Sequence, residues 1–426
     1  MNSKKQIALL ITGLILILAT NAQKKNFIYT DGKNLMLPGG KPFIMRGTNL
    51  GNWLVPEGYM FKLKDVNSPR MINQAFTELI GPSAMDSFWT IYLKNYITAS
   101  DIRYMKAIGM NSIRVPFNYR LFTHEKYLGA SNPNHGFELL DKLIGWCKKE
   151  QLYILLDMHC APGGQTGDNI DDGDGYPFLF ESEKDQQLTA DIWKRIAARY
   201  KNESIIIGYD LLNEPIATYF DAEHFNPKLE AVYKKITAAI RQVDQDHLVF
   251  LGGAQWNSNF TPFGPPFDNK LVYTFHKYWT SPKQEVIQPY IDFRNKYNVP
   301  MYCGETGENT NQWIDSFRVT LENAGIGWHY WPYKKMNDAR CIVQFNKPAS
   351  YDSIIQYAET AKKNFADIRK NRPQNMQLVR QALDEYLKQC LFENCFPNAG
   401  YIKALGFLTS KQITDKARAG NGTTSK

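Results

Sequence analysis

The sequence predicts an α/β protein built as a (β/α)8 barrel, and three observations carry that prediction. Eight short β-rich runs recur between residues 43 and 331. Segments with helix signals stand between them, the alternation expected of parallel strands joined by crossover helices. Polar side chains also gather at the C-terminal ends of the runs, where a barrel of this kind builds its site. An open doubly wound sheet is the alternative, but no glycine-rich phosphate loop follows the first run.

In order, the runs are FIMRGTN (43–49), NSIRVPF (111–117), YILLDMH (153–159), IIGYDLLN (206–213), HLVFLGG (247–253), LVYTFH (271–276), VPMYCGE (299–305) and GIGWHYW (325–331). Most are apolar almost throughout, as strands covered on both faces must be. TASDIRYMKAIG (98–109) reads as a helix that opens on Thr98, spaces apolar residues by one turn and stops at Gly109. NPKLEAVYKKITAAIRQVDQD (226–246) predicts another, with Asn226 as cap and Pro227 in the first turn. NMQLVRQALDEYLKQCLFENC (375–395) has helical spacing and is expected to pack on the barrel exterior. The low-complexity end, ARAGNGTTSK (417–426), is expected to be loose.

Composition bounds the partners. The chain has 426 residues, 43% of them hydrophobic, which is ordinary for a globular protein. Twenty-four Tyr, 24 Phe and nine Trp supply flat amphipathic surfaces suited to sugar rings, although most will be core. The formal charge is +8, to which Lys4 and Lys5 contribute, and no basic run is long enough for a nucleic-acid footprint.

Lys4 and Lys5 precede the apolar run IALLITGLILILA and the small residues of TNA, the pattern of a cleaved export signal over residues 1–22. That run is shorter than the roughly 20 apolar residues a bilayer crossing needs. The expectation is therefore a catalytic domain over 23–410 and a flexible tail over 411–426, secreted, periplasmic or on the cell surface, monomeric and without a membrane span. Six cysteines, Cys147, Cys160, Cys303, Cys341, Cys390 and Cys395, form no disulfide framework and no zinc-site spacing, so free buried thiols are expected. IDDGDGYPFLFE imitates a calcium loop through Asp172, Asp174, Gly175 and Glu181, but Ile170 stands where the first carboxylate ligand belongs. Neither a metal nor a cofactor is assigned.

The run ends offer Asn49, Arg114, His159, Asn213 with Glu214, His276 with Tyr278, Glu305 and Trp331. Each alone could be an ion pair, a satisfied core histidine or packing. Together they converge on one mouth. Glu214 and Glu305 end the fourth and seventh runs, so they can face each other across it. Two opposed carboxyl groups in an aromatic-lined pocket suit glycoside cleavage, where one donates a proton and the other stays ionised. Arg114 can hold one ionised while the neighbouring charge raises the other.

At these residues the sequence resembles glycoside hydrolase family 5, a TIM-barrel family. The match runs in order over roughly residues 40–345. LLNEP resembles the family's acid/base motif, which implies Glu214 as acid/base and Asn213 as the amide gripping the sugar's 2-hydroxyl. MYCGETG resembles the nucleophile strand and implies Glu305. SIRVPF, LLDMH, FHKYW and GWHYWPYK imply sugar-site roles for Arg114, His159, His276 with Tyr278, and the platform Trp331. NLGNWLVPEGYMF and DMHCAPGGQTGDN look like the exo-β-1,3-glucanase-like branch, where Glu57 takes the position that grips the terminal glucose. Cys160, the lack of an aromatic after Glu305 and HYWPYK depart from that branch.

The resemblance implies a retaining hydrolase of β-glucosidic linkages acting on β-linked oligo- or polysaccharides. Alternatives are an endo-acting β-glucanase or mannanase, a transglycosylase, or a sugar-binding barrel without turnover.

Overall fold

The computed structural model describes residues 26–409 and 411–412. The expected export signal and nearly all of the expected tail lie outside the described residues. Eight strands close into a barrel: β1 (Arg46–Asn49), β2 (Ser112–Asn118), β3 (Tyr153–Cys160), β4 (Ile206–Asp210), β5 (Leu248–Gly252), β6 (Leu271–Lys277), β7 (Met301–Gly307) and β8 (Gly327–Trp331). Every neighbouring pair is parallel, and β8 returns to β1 with Trp328 opposite Arg46. Each of the eight expected runs overlaps one of these strands, and four strands run one or two residues past the expected end.

The barrel is tight enough to dictate residue size. A Cβ on Gly47 in β1 would stand 1.8 Å from the Ser112 carbonyl oxygen of β2. A register shift between Phe275 and His276 sets His276 opposite Glu305. Such bulges re-aim side chains, and this one does so at the mouth.

Ile28, Leu35, Phe43 and Met45 pack with Leu155, Ile207, Leu248, Phe250 and Val272 as a separate apolar cluster inside the barrel. Ile28 and Leu35 come from a short N-terminal segment whose strands Tyr29–Asp31 and Asn34–Met36 pair antiparallel. A larger apolar cluster joins strands to the surrounding helices.

The helix at Ala99–Ile108 has the expected Thr98 start, with a capping box completed by Asp101 and a left-handed Gly109 at its end. The other helix prediction needs correction. That helix is Ala222–Arg241, capped by Asp221, whose Oδ1 accepts from the backbone N–H groups of Glu223 and His224. Asp221 satisfies these donors first, so Pro227 sits inside the helix and not in its first turn. Asn226 instead exchanges side-chain hydrogen bonds with Gln255.

The C-terminal helix Met376–Gln389 packs outside the barrel against helices Pro69–Ile80 and Pro82–Asn95. Its Tyr386 stacks on Phe61 at 5.1 Å between ring centres. A three-stranded sheet absent from the sequence-based prediction follows β8, formed by Lys334–Met336, Val343–Phe345 and Phe396–Pro397. All six cysteines are free, and five are buried. No helix among the described residues is long and apolar enough to cross a membrane.

Candidate active site

A cleft of about 680 Å³ opens at the C-terminal ends of the strands. Glu57, His159, Glu214, His276, Tyr278, Glu305 and Trp331 all line it. Arg114 and Asn213 do not: both are fully buried beneath its floor. Asn49 is buried with them, so the ten residues singled out in the sequence are one cluster, in two layers.

Arg114 organises the lower layer. Its guanidinium donates to Asp210 at 2.8 Å, Asn49 at 3.1 Å, Asn213 at 2.9 Å and Glu305 Oε1 at 2.5 Å, and it pairs with Asp157 at 3.1 Å. A buried cation needs partners on all its donors, and three carboxylates with two amide oxygens supply them. Burial pushes Asp157 and Asp210 up to about 7, against the pull of Arg114. Asn213 accepts from Arg114 and directs Nδ2 to His159 Nε2 at 3.3 Å.

Glu214 follows β4 in a left-handed conformation, φ +46°, that a non-glycine residue adopts at a cost. The strain turns its carboxyl into the cleft. One Glu214 oxygen, one Glu305 oxygen and a ring nitrogen of His276 lie within 4.8 Å of one another. Glu305 is 4% exposed, with Tyr278 donating to its Oε2 at 3.0 Å.

Burial, then the Glu305 charge, raise Glu214 well above the usual carboxylate range. Burial also raises Glu305, but Arg114 opposes it, so Glu305 is the more acidic of the two.

Two buried histidines repeat one arrangement. His276 Nδ1 lies 2.7 Å from Glu214 Oε1, and Asn257 donates to Nε2 at 3.1 Å. His159 Nδ1 lies 2.8 Å from Asp157, and Asn213 donates to its Nε2. An amide donor on Nε2 places the single ring proton on Nδ1, facing the carboxylate. Burial first, then nearby Arg114, lower His276 well below its ordinary value; burial takes His159 to about 3. Both rings are neutral.

Trp331 forms one wall, stacked on His159 with 5.5 Å between ring centres and 8° between planes. Its indole N–H donates to Tyr59 at 2.7 Å. Glu57 is 6% exposed, and its Oε1 is buried with no hydrogen-bond partner.

Sequence reasoning missed several groups here. Asp157 lies two residues before His159 on β3, and the period of two that puts both on one strand face would have found it. Asp210 stood inside the run IIGYDLLN itself. Trp256 and Asn257 belong to a left-handed run, Gln255–Asn257, with φ of 49°, 61° and 56°. Asn257 is thereby placed on His276, while Trp256 lines the cleft. Tyr59, Trp279 and Glu308 line it too, and Trp279 is 76% exposed. The calcium-like carboxylates are dispersed onto cations: Asp172 pairs with Arg120, Asp174 with Arg70 and Glu181 with Lys228.

Comparison with known proteins agrees with this geometry. Residues 73–337 match the family model described as cellulase, glycosyl hydrolase family 5. A β-xylosidase of Phanerodontia chrysosporium is 29% identical over 305 residues, 71% of this chain and 61% of that protein. Endoglucanase C of Acetivibrio thermocellus is 28% identical over 325 residues, covering 62% of this chain and 91% of that one. A glucan 1,3-β-glucosidase of Candida oleophila is 28% identical over 245 residues, covering 50% and 56%. Among solved structures, an endogalactoceramidase has a TM-score of 0.54 at 18% identity, covering 72% of this chain and 74% of that one. The structure titled AoRut has a TM-score of 0.55 at 17% identity, covering 69% and 89%. These two likenesses concern the fold. With a family match across more than half of its length, the chain belongs to glycosyl hydrolase family 5.

Proposed function

We propose that this β-glycoside hydrolase is exported and removes single glucose units from β-linked glucans, with retention of anomeric configuration. The observation that carries the reading is the carboxyl pair: oxygens of Glu214 and Glu305 within 4.8 Å of each other. Retaining glycosidases hold their two carboxyl groups about 5–5.5 Å apart, whereas inverting ones need about 6.5–9.5 Å to admit a water.

In this mechanism Glu305 is the nucleophile. Arg114 holds its Oε1, and Oε2 attacks the anomeric carbon. As the C–O bond to the departing sugar breaks, Glu214 gives its proton to the leaving oxygen. His276 engages Glu214 Oε1, which leaves Oε2 to carry that proton. Water then attacks the same carbon. Glu214 takes the water's proton, and Glu305 departs as a carboxylate. The sugar rests on Trp331, with Asn213 and His159 below and Glu57 at its far end.

Export rests on the N-terminal pattern of Lys4 and Lys5 before an apolar run. Chain-end action rests on Glu57, a buried carboxylate with an unpartnered oxygen at the cleft. A time course on β-linked glucan oligomers tests the whole reading. Glucose of retained configuration, released one unit at a time, supports it. Early release of mixed longer oligomers would favour endo action, and transfer to added sugar would make the protein a transglycosylase.

A further inference from the structure

One wall of the cleft is built from a part of the chain that the two reactive carboxyl groups do not involve. After β8 the chain enters the sheet that begins at Lys334–Met336. Successive residues of a strand face opposite ways. Lys334 goes to Asp101 at 2.8 Å and to the carbonyls of Tyr96 and Cys390. Lys335 goes to the cleft side, where its ammonium meets Glu308 Oε1 and Asp338 Oδ2, each at 2.8 Å. It also lies 4.8 Å from the centre of the Tyr59 ring.

Lys335 is 1% exposed. An ammonium so placed is stable only while its partners stay put, so it clamps Glu308. Glu308 itself stands at φ +53°, a conformation that costs a non-glycine residue and persists because its surroundings hold it. The clamped carboxylate lines the same cleft as Glu57, Tyr59 and Trp331. Glu57 Oε1 is buried there without a partner. Tyr59 ties the wall together by accepting from the Trp331 indole. The wall thus presents the Glu308 carboxylate and the Glu57 carboxyl around an aromatic platform, with burial first and then the Glu305 and Glu308 charges holding Glu57 well above the usual carboxylate range. Such a surface favours a neutral ring with hydroxyl donors and repels a uronic acid.

We propose that Glu308, clamped by Lys335, is a second specificity-determining carboxylate that works beside Glu57 on the hydroxyls of the sugar resting on Trp331. This rests on the glycoside-hydrolase reading of the cleft. Lys335 is then a positioning residue, acting through Glu308.

The test pairs Glu308→Gln with substrates that lack one hydroxyl at a time: an aryl β-glucoside and its 3-, 4- and 6-deoxy analogues. On the parent glucoside the variant should lose about ten- to hundredfold in kcat/KM, the scale of one hydrogen bond to a charged group. On one of the deoxy analogues that loss should vanish, because the partner hydroxyl is gone. Lys335→Met should show the same pattern across the substrates, and Lys335→Arg should recover part of it. Thermal melting checks that each variant is folded, with Glu308→Ala as a second variant at the same position. An equal loss on all three deoxy analogues, or no loss on the parent, overturns the proposal. If the parent protein cleaves no β-glycoside, the glycosidase reading has failed instead. Glucose binding to the Glu305→Gln protein, with and without Glu308→Gln, then decides the question for Glu308 without turnover.

Discussion

His276 Nδ1 stands 2.7 Å from Glu214 Oε1 and 3.8 Å from Glu305 Oε2, so one ring edge addresses both carboxyl groups. The ring is neutral, because burial and the Arg114 charge keep it from taking a second proton. It therefore orders the pair without adding charge. Glu305, held by Arg114 and Tyr278, is the group that ionises first, and Glu214 is the group that keeps its proton longer.

This order fixes the pH dependence. The acid limb of kcat/KM should follow ionisation of the pair's first proton, and the alkaline limb loss of its second, at a pH above the ordinary carboxylate range. In the proposed mechanism Glu214 must be protonated, so activity should fall as pH rises through that second step. Measured on an aryl glycoside with a good leaving group, Glu214→Gln should lack the alkaline limb. A limb unchanged in the variant would remove Glu214 as the acid.

Substituting the two carboxyl groups should have opposite remedies. Glu214→Ala should lose about 10²–10⁴-fold on a substrate with a poor leaving group and far less on an activated one. Added azide should restore turnover and yield the β-glycosyl azide. Glu305→Gln should remain inactive on both substrates while still binding sugar. Equal losses on activated and ordinary substrates in Glu214→Ala would contradict the assignment.

Arg114→Met should cost about 3–5 kcal/mol in stability, the usual penalty for stripping a buried charge of its partner. Three carboxylates, Asp157, Asp210 and Glu305, lose their shared cation in that variant. Denaturant titration measures the loss.

The same layer predicts a pH dependence of stability. Asp157 and Asp210 titrate at about 7 in the folded protein, above their ordinary value of 3.8. Groups raised on folding contribute stability that is complete below the unfolded value and lost as pH rises through the folded one. Their contribution should therefore fall away between about pH 4 and pH 7. Asp210→Asn should flatten the melting temperature across that window, read by calorimetry at fixed ionic strength.

Glu57→Ala should lower kcat/KM on a terminal β-glucoside by about 1.5–3 kcal/mol, the worth of a hydrogen bond to a charged group. Melting should be unchanged, since Oε1 has no partner in the protein to lose. Oligomer products from the variant should lengthen if the residue holds the chain end.

The barrel was legible because its strands are apolar runs that end on reactive side chains, as at LLDMH and MYCGE. Both signals are local. Asn226 with Pro227 misled because a stronger cap, Asp221, lay only five residues earlier. The lower layer was half visible: Arg114 was singled out with the run ends although it is only the third residue of β2, whereas Asp157 passed for an interior strand position and Asp210, which closes β4, was overlooked beside Asn213 and Glu214. Glu308, just past β7, is paired with Lys335 only in space. Lys335 gave no pattern, because it lies in a sheet of two- and three-residue strands. No periodicity can develop over such lengths.

That small sheet also ties catalysis to the order in which the chain is made. Val343–Phe345 pairs antiparallel with Phe396–Pro397, and Asn398 donates to the carbonyl of Ile342. The Lys335 wall is therefore buttressed by residues synthesised some sixty positions after it, once the eight barrel strands have left the ribosome. Contacts so distant in sequence form late, because the loop between them must close first. A nascent chain can complete its barrel before its cleft, and a shortened chain ending before Phe396 would hold both reactive carboxyl groups beside an unbraced wall.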